Sequence, residues 1–433
     1  MSTVDIILKK KRGKELSSED INYIVSGYTK GEIPDYQISA LLMAVCFNKM
    51  NERETYDLTM AMARSGDMLD LSRINGVKTD KHSSGGVGDK TTLVLAPIIA
   101  ACSVPVAKMS GRGLGHTGGT IDKLESIPGF RTTMSDEDFI NNVNKHKIAV
   151  VGQTANLAPA DKKLYALRDV TGTVDNQSLI ASSIMSKKIA SGADAIVLDV
   201  KCGSGAFMKD IESATNLARM MVDIGKRAGR KVCAAITNMD QPLGYKIGNS
   251  LEVEEAIDTL KGKGPKDLTL LCYVLGSRML YLANAAESIE KGADMVKEVI
   301  ENGKALAKFE EFVEIQGGNR NVTKDYSILP TAKYTYDVIA QGGKFVKKID
   351  AEMIGKAVLT LGGGRLTKES KIDLSVGIEL KCKVSESTKD GHIATVYSSS
   401  EEKAKKAVET VLKAYTLSDE QQPVPKLLHA CVD

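Results

Sequence analysis

Two glycine-rich segments carry side chains suited to holding an anion. The first, D-K-H-S-S-G-G-V-G-D-K-T-T at 80–92, places Lys81, Ser83 and Thr92 beside backbone that glycine leaves bare. Glycine lets the chain approach an anion closely, and a helix starting after the loop offers unpaired N–H groups. A glycine-rich turn with surface lysines has the same composition, so this loop alone leaves both readings open. It is not a Walker A loop, because no G-x-x-x-x-G-K-[ST] can be laid on it. The second segment, S-G-R-G-L-G-H-T-G-G-T at 110–120, repeats the design, with Lys108, Ser110, Arg112 and Thr120 around five glycines. Gly113, Gly115 and Gly118 also satisfy the dinucleotide pattern G-x-G-x-x-G. That pattern wants an acid ending the next strand, and Asp136, Glu137 and Asp138 instead follow Ser135 like the first turn of a helix. Two cationic loops of one design point to a single shared phosphate site. His82 and His116 lie in these loops. His116 reads as a residue that orders its loop, and His82, between Lys81 and Ser83, as the candidate for proton transfer.

A second set sits on helical sequence. Tyr165 and Arg168 are three apart, Ser183 and Lys187 four apart, so each pair shares a helix face. Spacing alone also suits a solvated surface. The functional alternative is a patch of hydroxyl, ammonium and guanidinium fitted to a small heterocycle carrying carbonyls and an N–H.

The elements that must position these residues can be read around them. Residues 1–65 read as helices: Ser17 or Ser18 caps one, Pro34 opens another, and 51–65 make a third. From about residue 70 the pattern is strand, glycine loop, helix. Strands are expected at 77–82, 104–109 and 194–200, each running into a loop, as in a largely parallel α/β sheet whose ligands bind at the carboxyl ends of strands. Helices at 160–169 and 178–191 are expected to return to the N-terminal bundle. The expected division is a helical domain of 1–67 and 160–191, an α/β phosphate-binding domain of 68–159 and 192–330, and a C-terminal α+β domain of 331–433. Anion and heterocycle residues then fall on two bodies, joined near 64–70, 154–160 and 188–194, and closure of one on the other is expected.

Composition narrows the class. Of 433 residues 42% are hydrophobic and 26% charged, an ordinary globular balance. With 58 Lys plus Arg against 55 Asp plus Glu the net charge is +3, which gives no general nucleic-acid footprint. The seven cysteines form no C-x-x-C, so a reducing, cytoplasmic setting is expected rather than a disulfide framework. The longest uncharged run, 91–107, is broken by Pro97 and Pro105 and reads as a buried helix and strand, not a membrane span.

K-M-S-G-R-G-L-G-H-T-G-G-T-I-D-K-L-E-S-I-P-G-F (108–130) resembles the signature of the thymidine/pyrimidine-nucleoside phosphorylase family. K-H-S-S-G-G-V-G-D, L-Y-A-L-R-D-V-T-G-T (164–173), S-S-I-M-S-K-K (182–188) and Q-P-L-G (241–244) are similar to its other motifs, in order, over nearly the whole chain. The layout is most similar to bacterial members of broad specificity. The resemblance implies a small helical domain plus a large α/β domain, as in anthranilate phosphoribosyltransferase-like proteins, a C-terminal α+β unit, and a homodimer. It implies reversible phosphorolysis of pyrimidine nucleosides (uridine, deoxyuridine, thymidine) to free base and (deoxy)ribose 1-phosphate, with strict thymidine phosphorylase as the alternative. Phosphate would lie on Lys81, His82, Ser83, Thr92, Lys108, Met109, Ser110 and Thr120, and the base on Arg168, Ser183 and Lys187. His82, Arg168 and Lys187 would serve the departing base. No cofactor is required, since phosphate is a substrate. Some relatives hold one potassium ion, and the matching positions are Gly88, Lys90, Leu243, Lys246 and Glu255, two of them cationic here. A phosphoribosyltransferase on the same scaffold would need magnesium carboxylates, for which Asp89 and Asp122 are the candidates. A non-catalytic nucleotide-binding module would use Gly113, Gly115 and Gly118.

Overall fold

Four helices, α1 (Thr3–Lys11), α2 (Ser18–Lys30), α3 (Asp35–Asn48) and α4 (Glu52–Ala63), precede an alternation of strand and helix in the computed structural model. It runs β1 (Thr79–Ser83), α5 (Thr91–Ala101), β2 (Val106–Ser110), α6 (Thr120–Leu124), α7 (Asp136–His146), β3 (Ile148–Gly152), α8 (Pro159–Thr171), α9 (Gln177–Ala190), β4 (Ala195–Cys202), α10 (Ile211–Arg227) and β5 (Lys231–Asn238). Then come β6 (Lys246–Ile247) and α11 (Asn249–Leu260), and later β7 (Tyr334–Ile339), β8 (Phe345–Ile349), β9 (Gly377–Leu380), β10 (His392–Ser398), β11 (Tyr415–Ser418) and β12 (Leu428–Val432). The structure describes residues 2–113, 115, 118–365 and 370–433. His116 lies outside them.

Local chemistry fixes the helical unit. Ser17 and Asp20 form a reciprocal capping box that starts α2, and Asn51 and Glu54 do the same at α4. Glu54 also takes the buried Lys10 ammonium at 2.7 Å, so one carboxylate caps a helix and ties α1 to α4. The apolar core of this unit draws Ile21, Ile38, Leu58 and Met62 together with Ala160, Leu164 and Leu167 of α8 and Leu179 at the start of α9.

The large sheet has the order β12-β5-β4-β1-β2-β3, with β1 to β5 parallel and β12 antiparallel beside β5. Alternation sorts its strands onto two cores. Val106, Ile148, Val150 and Val197 face one, and Ala107, Met109, Ala149, Val151, Ile196 and Leu198 the other. The central strand β1 is the exception, because its sequence T-D-K-H-S is polar throughout although Thr79, Asp80 and Lys81 are buried. Its charged groups are paired, as the site below shows.

β12 carries residues 428–432 back into the large sheet, and β6 joins the antiparallel sheet β6-β9-β10-β7, so a cut at 331 does not separate two independent sheets. α9 lies between the two units: the Ser182 hydroxyl donates to the Thr55 carbonyl of α4 at 3.1 Å, while Ile180, Ala181, Met185, Ile189 and Ala190 join the core of the large sheet. The connecting segments are stitched together: the Asp67 N–H donates to the Asn156 carbonyl at 3.0 Å and the Leu69 N–H to that of Ala190 at 2.8 Å. A Cβ on Gly66 would lie 2.0 Å from the Asn156 oxygen, which is why glycine stands there. No helix of the described residues is long and apolar enough to cross a membrane.

Candidate active site

β1 pairs with β4 along its whole length, from Thr79↔Ala195 to Ser83↔Asp199, but with β2 only at Thr79↔Val106. Beyond that bridge the two strands part, and the Lys108 ammonium enters the gap. It donates to the Lys81 carbonyl at 2.5 Å and to Asp80 Oδ1 at 2.7 Å. Asp80 Oδ2 receives the Lys188 ammonium at 2.7 Å, and Lys188 also reaches the Met109 carbonyl at 3.3 Å. One buried carboxylate therefore holds two buried ammonium groups, a local net charge of +1 at the carboxyl ends of the strands.

The electrostatics follow. The paired lysines hold the Asp80 carboxyl well below the usual carboxylate range despite its burial. Burial pushes Lys108 down to about 8, with Asp80 opposing that shift and Lys188 adding to it. His82, next on the same face of β1 as Asp80, lies half-buried near Lys188, Lys108 and Lys187. Burial first, then those cations, take its imidazole well below its ordinary value. His82 is therefore neutral at pH 7 and offers a ring N–H, not the extra proton expected from sequence. Its ring nitrogens take no hydrogen bond among the described residues.

Lys81 points to the opposite face. Its ammonium bonds Asp89 at 3.2 Å and the Thr91 hydroxyl, with Asp199 at 3.6 Å. The sequence grouped Lys81 and His82 as neighbours in one anion site; strand alternation separates their side chains. Of the hydroxyls expected around phosphate, Ser83 accepts the Gly85 N–H at 3.3 Å, whereas those of Ser110 and Thr120 make no hydrogen bond among the described residues. Thr92 lies buried in the first turn of α5. Arg112, expected beside the anion, is committed elsewhere, in a bidentate pair with Glu125 at 2.5 and 2.7 Å. Asp122 is likewise consumed: Arg112, the Gly113 N–H and a bidentate Arg365 at 2.8 and 3.0 Å occupy both oxygens. With Asp89 on Lys81, neither carboxylate is left for magnesium, and the described residues contain no cluster of acidic, His or Cys side chains able to hold a metal.

The helix-borne residues do meet. The Lys187 ammonium pairs with Asp161 and donates to Ser183 Oγ at 3.1 Å. Asp161 escaped the sequence reading, although it lies seven residues before Arg168 on one helix face. Arg168 is buried, with Nε, Nη1 and Nη2 donating to the carbonyls of Thr173, Leu179 and Val174 at 3.1, 3.0 and 2.6 Å. It fixes the turn between α8 and α9 and does not stand free as the expected patch required. Tyr165 lies against its guanidinium. Asp80 and Lys188 were also missed. An aspartate inside a buried strand was the available signal, since such a carboxylate needs cationic partners.

The five positions expected around potassium do come together, but not around space for an ion. The Lys90 ammonium itself lies 3.0 Å from the Leu243 carbonyl, 2.6 Å from that of Lys246 and 2.5 Å from Glu255 Oε2. The Gly88 carbonyl accepts the Lys90 N–H at 2.9 Å. This set does not fit a bound potassium ion.

The site is thus a parallel sheet splayed at β1–β2, with the cationic Lys108–Asp80–Lys188 group at the gap and α9 beside it. Residues 75–306 match the model of the glycosyl transferase family a/b domain, 4–66 that of its helical bundle domain, and 345–418 that of the pyrimidine nucleoside phosphorylase C-terminal domain. The fold is similar to that of anthranilate phosphoribosyltransferase from Thermus thermophilus, with a TM-score of 0.59 at 19% identity, over 72% of this chain and 99% of that one. The chain is 60% identical to the pyrimidine-nucleoside phosphorylase of Geobacillus stearothermophilus over 93% of both chains. It is 57% and 55% identical to those of Staphylococcus haemolyticus and Bacillus subtilis, each over 100% of both chains. The chain belongs to the pyrimidine-nucleoside phosphorylase family.

Proposed function

We propose that this protein catalyses the reversible phosphorolysis of pyrimidine nucleosides, accepting uridine, deoxyuridine and thymidine, to give free base and (deoxy)ribose 1-phosphate. The observation that carries this reading is the position of His82, half-buried among Lys108, Lys188 and Lys187, where the anion crevice meets the helices of the heterocycle patch. Phosphate lies in the crevice at the ends of β1 and β2, on the Ser83, Ser110, Thr92 and Thr120 hydroxyls. The Lys108–Asp80–Lys188 group supplies its positive field, and Lys81 orders the loop with Asp89. The nucleoside lies against Ser183, Lys187 and the N–H bonds of Arg168 that no carbonyl engages.

Attack of a phosphate oxygen on the anomeric carbon breaks the glycosidic bond, and the bonding pair leaves with the base. Charge develops on the base as the bond stretches. Lys187, Arg168 and the His82 N–H are fixed before reaction and stabilise that charge where it appears. Phosphate is itself the nucleophile, so the chemistry calls for no organic cofactor. A hydrophobic pocket discriminates a methyl by only about 1–3 kcal/mol, which supports use of both uracil and thymine nucleosides. The fold would also suit a phosphoribosyltransferase, but the commitment of Asp89 and Asp122 to cationic partners argues against it. The exposed Tyr36, Met43 and Phe47 on one face of α3 support a homodimer, and seven unpaired cysteines support a cytoplasmic location.

The test is incubation of each nucleoside with and without phosphate, with separation of free base and sugar phosphate. Base release that requires phosphate, from both uridine and thymidine, is expected. Release from thymidine alone would restrict the enzyme to that nucleoside, and release without phosphate would refute phosphorolysis.

A further inference from the structure

Lys90 is fully buried one residue after Asp89 and two before Thr92, at the end of the first glycine loop. An ammonium group has three N–H bonds. Here they meet three acceptors, the Leu243 carbonyl, the Lys246 carbonyl and Glu255 Oε2. The neighbouring polar groups are satisfied as well: Glu255 Oε1 accepts the N–H groups of Tyr245 at 2.8 Å and Lys246 at 3.2 Å. Lys246 turns its own ammonium away to Glu254 at 2.7 Å. The charge is balanced, one ammonium against one carboxylate, and an added monovalent cation would leave a buried positive charge without a partner. The cradle is also tight. A Cβ at Gly244 would lie 2.1 Å from Glu255 Oε2 and 3.0 Å from the Lys90 nitrogen, at a φ of +70.

We propose that the Lys90 ammonium is a tethered monovalent cation that takes the place of a bound potassium ion. The protein then needs no potassium for its fold or its activity. A free ion stabilises by mass action and is lost on dilution, whereas a cation tethered as a side chain is present at any salt concentration. Lys90 thereby acts as a positioning residue. It anchors the loop of β1 to β6 and α11, together with the Leu243 N–H that donates to Val87 at 3.0 Å and the Lys123 ammonium that donates to the Asp89 carbonyl at 2.6 Å. The loop so held runs from Ser83 at the end of β1 to Thr92 in the first turn of α5, so the phosphate contacts of the proposed reaction depend on it. That dependence rests on the reading of function given above; the replacement of the ion does not.

The experiment uses the full-length protein freed of potassium and held at constant ionic strength, with potassium chloride replacing choline chloride. Thermal midpoint and the apparent phosphate KM are followed together. The wild type is expected to show neither a saturable rise in midpoint nor a saturable fall in phosphate KM. Either response would overturn the proposal. Lys90→Ser leaves Glu255 and both carbonyls without a cation. It is expected to melt several degrees lower in choline, to recover saturably with potassium, and to recover phosphate KM in parallel. Lys90→Met, which fills the space without charge, is expected to lose stability without such rescue. A folded Lys90→Ser protein indifferent to potassium would also overturn the proposal, and should that variant fail to fold, the wild-type titration still decides. Absence of phosphorolysis in every salt would sink the proposed activity while the melting data continued to judge Lys90.

Discussion

Asp80→Asn removes one negative charge and almost no volume from the centre of the crevice. In the wild type Asp80 holds Lys108 and Lys188 at 2.7 Å each, all three buried. If both ammonium groups kept their charge in the variant, the loss of a buried partner would cost about 3–5 kcal/mol. Lys108 has an escape. Its value is already pushed down to about 8, so at pH 7 it retains only about one pH unit of reserve, about 1 kcal/mol. Without Asp80 it sheds the proton, and that reserve is the least the variant loses. At pH 9 the wild-type Lys108 is already largely neutral, so this share of the loss disappears and only the Lys188 contact remains. Asp80 stays ionised at both values, because its folded-state value is depressed. Its contribution is present above the ordinary carboxylate range and is lost only in strong acid. Urea midpoints of wild type and variant at pH 7 and pH 9 are therefore expected to differ more at pH 7, by about 1 kcal/mol. An equal loss at both values, or none, would refute the pairing that the structure assigns.

The same group is expected to govern phosphate use in the proposed reaction. As pH rises through about 8, Lys108 loses its proton and kcat/KM for phosphate is expected to fall; Lys108→Arg, which stays charged, should remove that inflection, and a flat wild-type profile across the same range would refute it. Lys187→Ala and Arg168→Ala should each lower turnover by the value of a charged hydrogen bond, about 1.5–3 kcal/mol, but only Arg168→Ala also releases the Thr173, Val174 and Leu179 carbonyls and should melt markedly lower. Wild-type turnover in both variants would place the base elsewhere. Arg365→Gln frees Asp122 from the C-terminal unit and should raise the phosphate KM, at about 1–2 kcal/mol, with turnover at saturating phosphate near wild type. An unchanged phosphate KM would show that this clamp does not shape the glycine loop.

Much of the architecture is a matter of local and periodic signals, and these are legible in one dimension. Ser17 with Asp20 and Asn51 with Glu54 start helices where their side chains reach their own backbone. The glycine loops stand where β1 and β2 end, and glycine there leaves backbone that an anion could approach. The motifs of 80–92, 108–130, 164–173 and 182–188 likewise announce the family, because the chemistry fixes residue types at short spacings.

What the sequence could not decide is which charge meets which. Lys81 and His82 are adjacent in the chain, yet alternation sends one to Asp89 and the other to the crevice. Lys187 and Lys188 are adjacent, yet one turns to Asp161 and the other crosses to Asp80, 108 positions away. Arg112 and Arg168 read as free cations and are bound to Glu125 and to main-chain carbonyls. The return of β12 to the large sheet and the lodging of Lys90 against Leu243, Lys246 and Glu255 are of the same kind. Capping and periodicity act over one turn or one strand, so sequence determines them. A buried ion pair depends on burial and on distances between segments far apart in the chain, and both come into existence only when the tertiary structure closes.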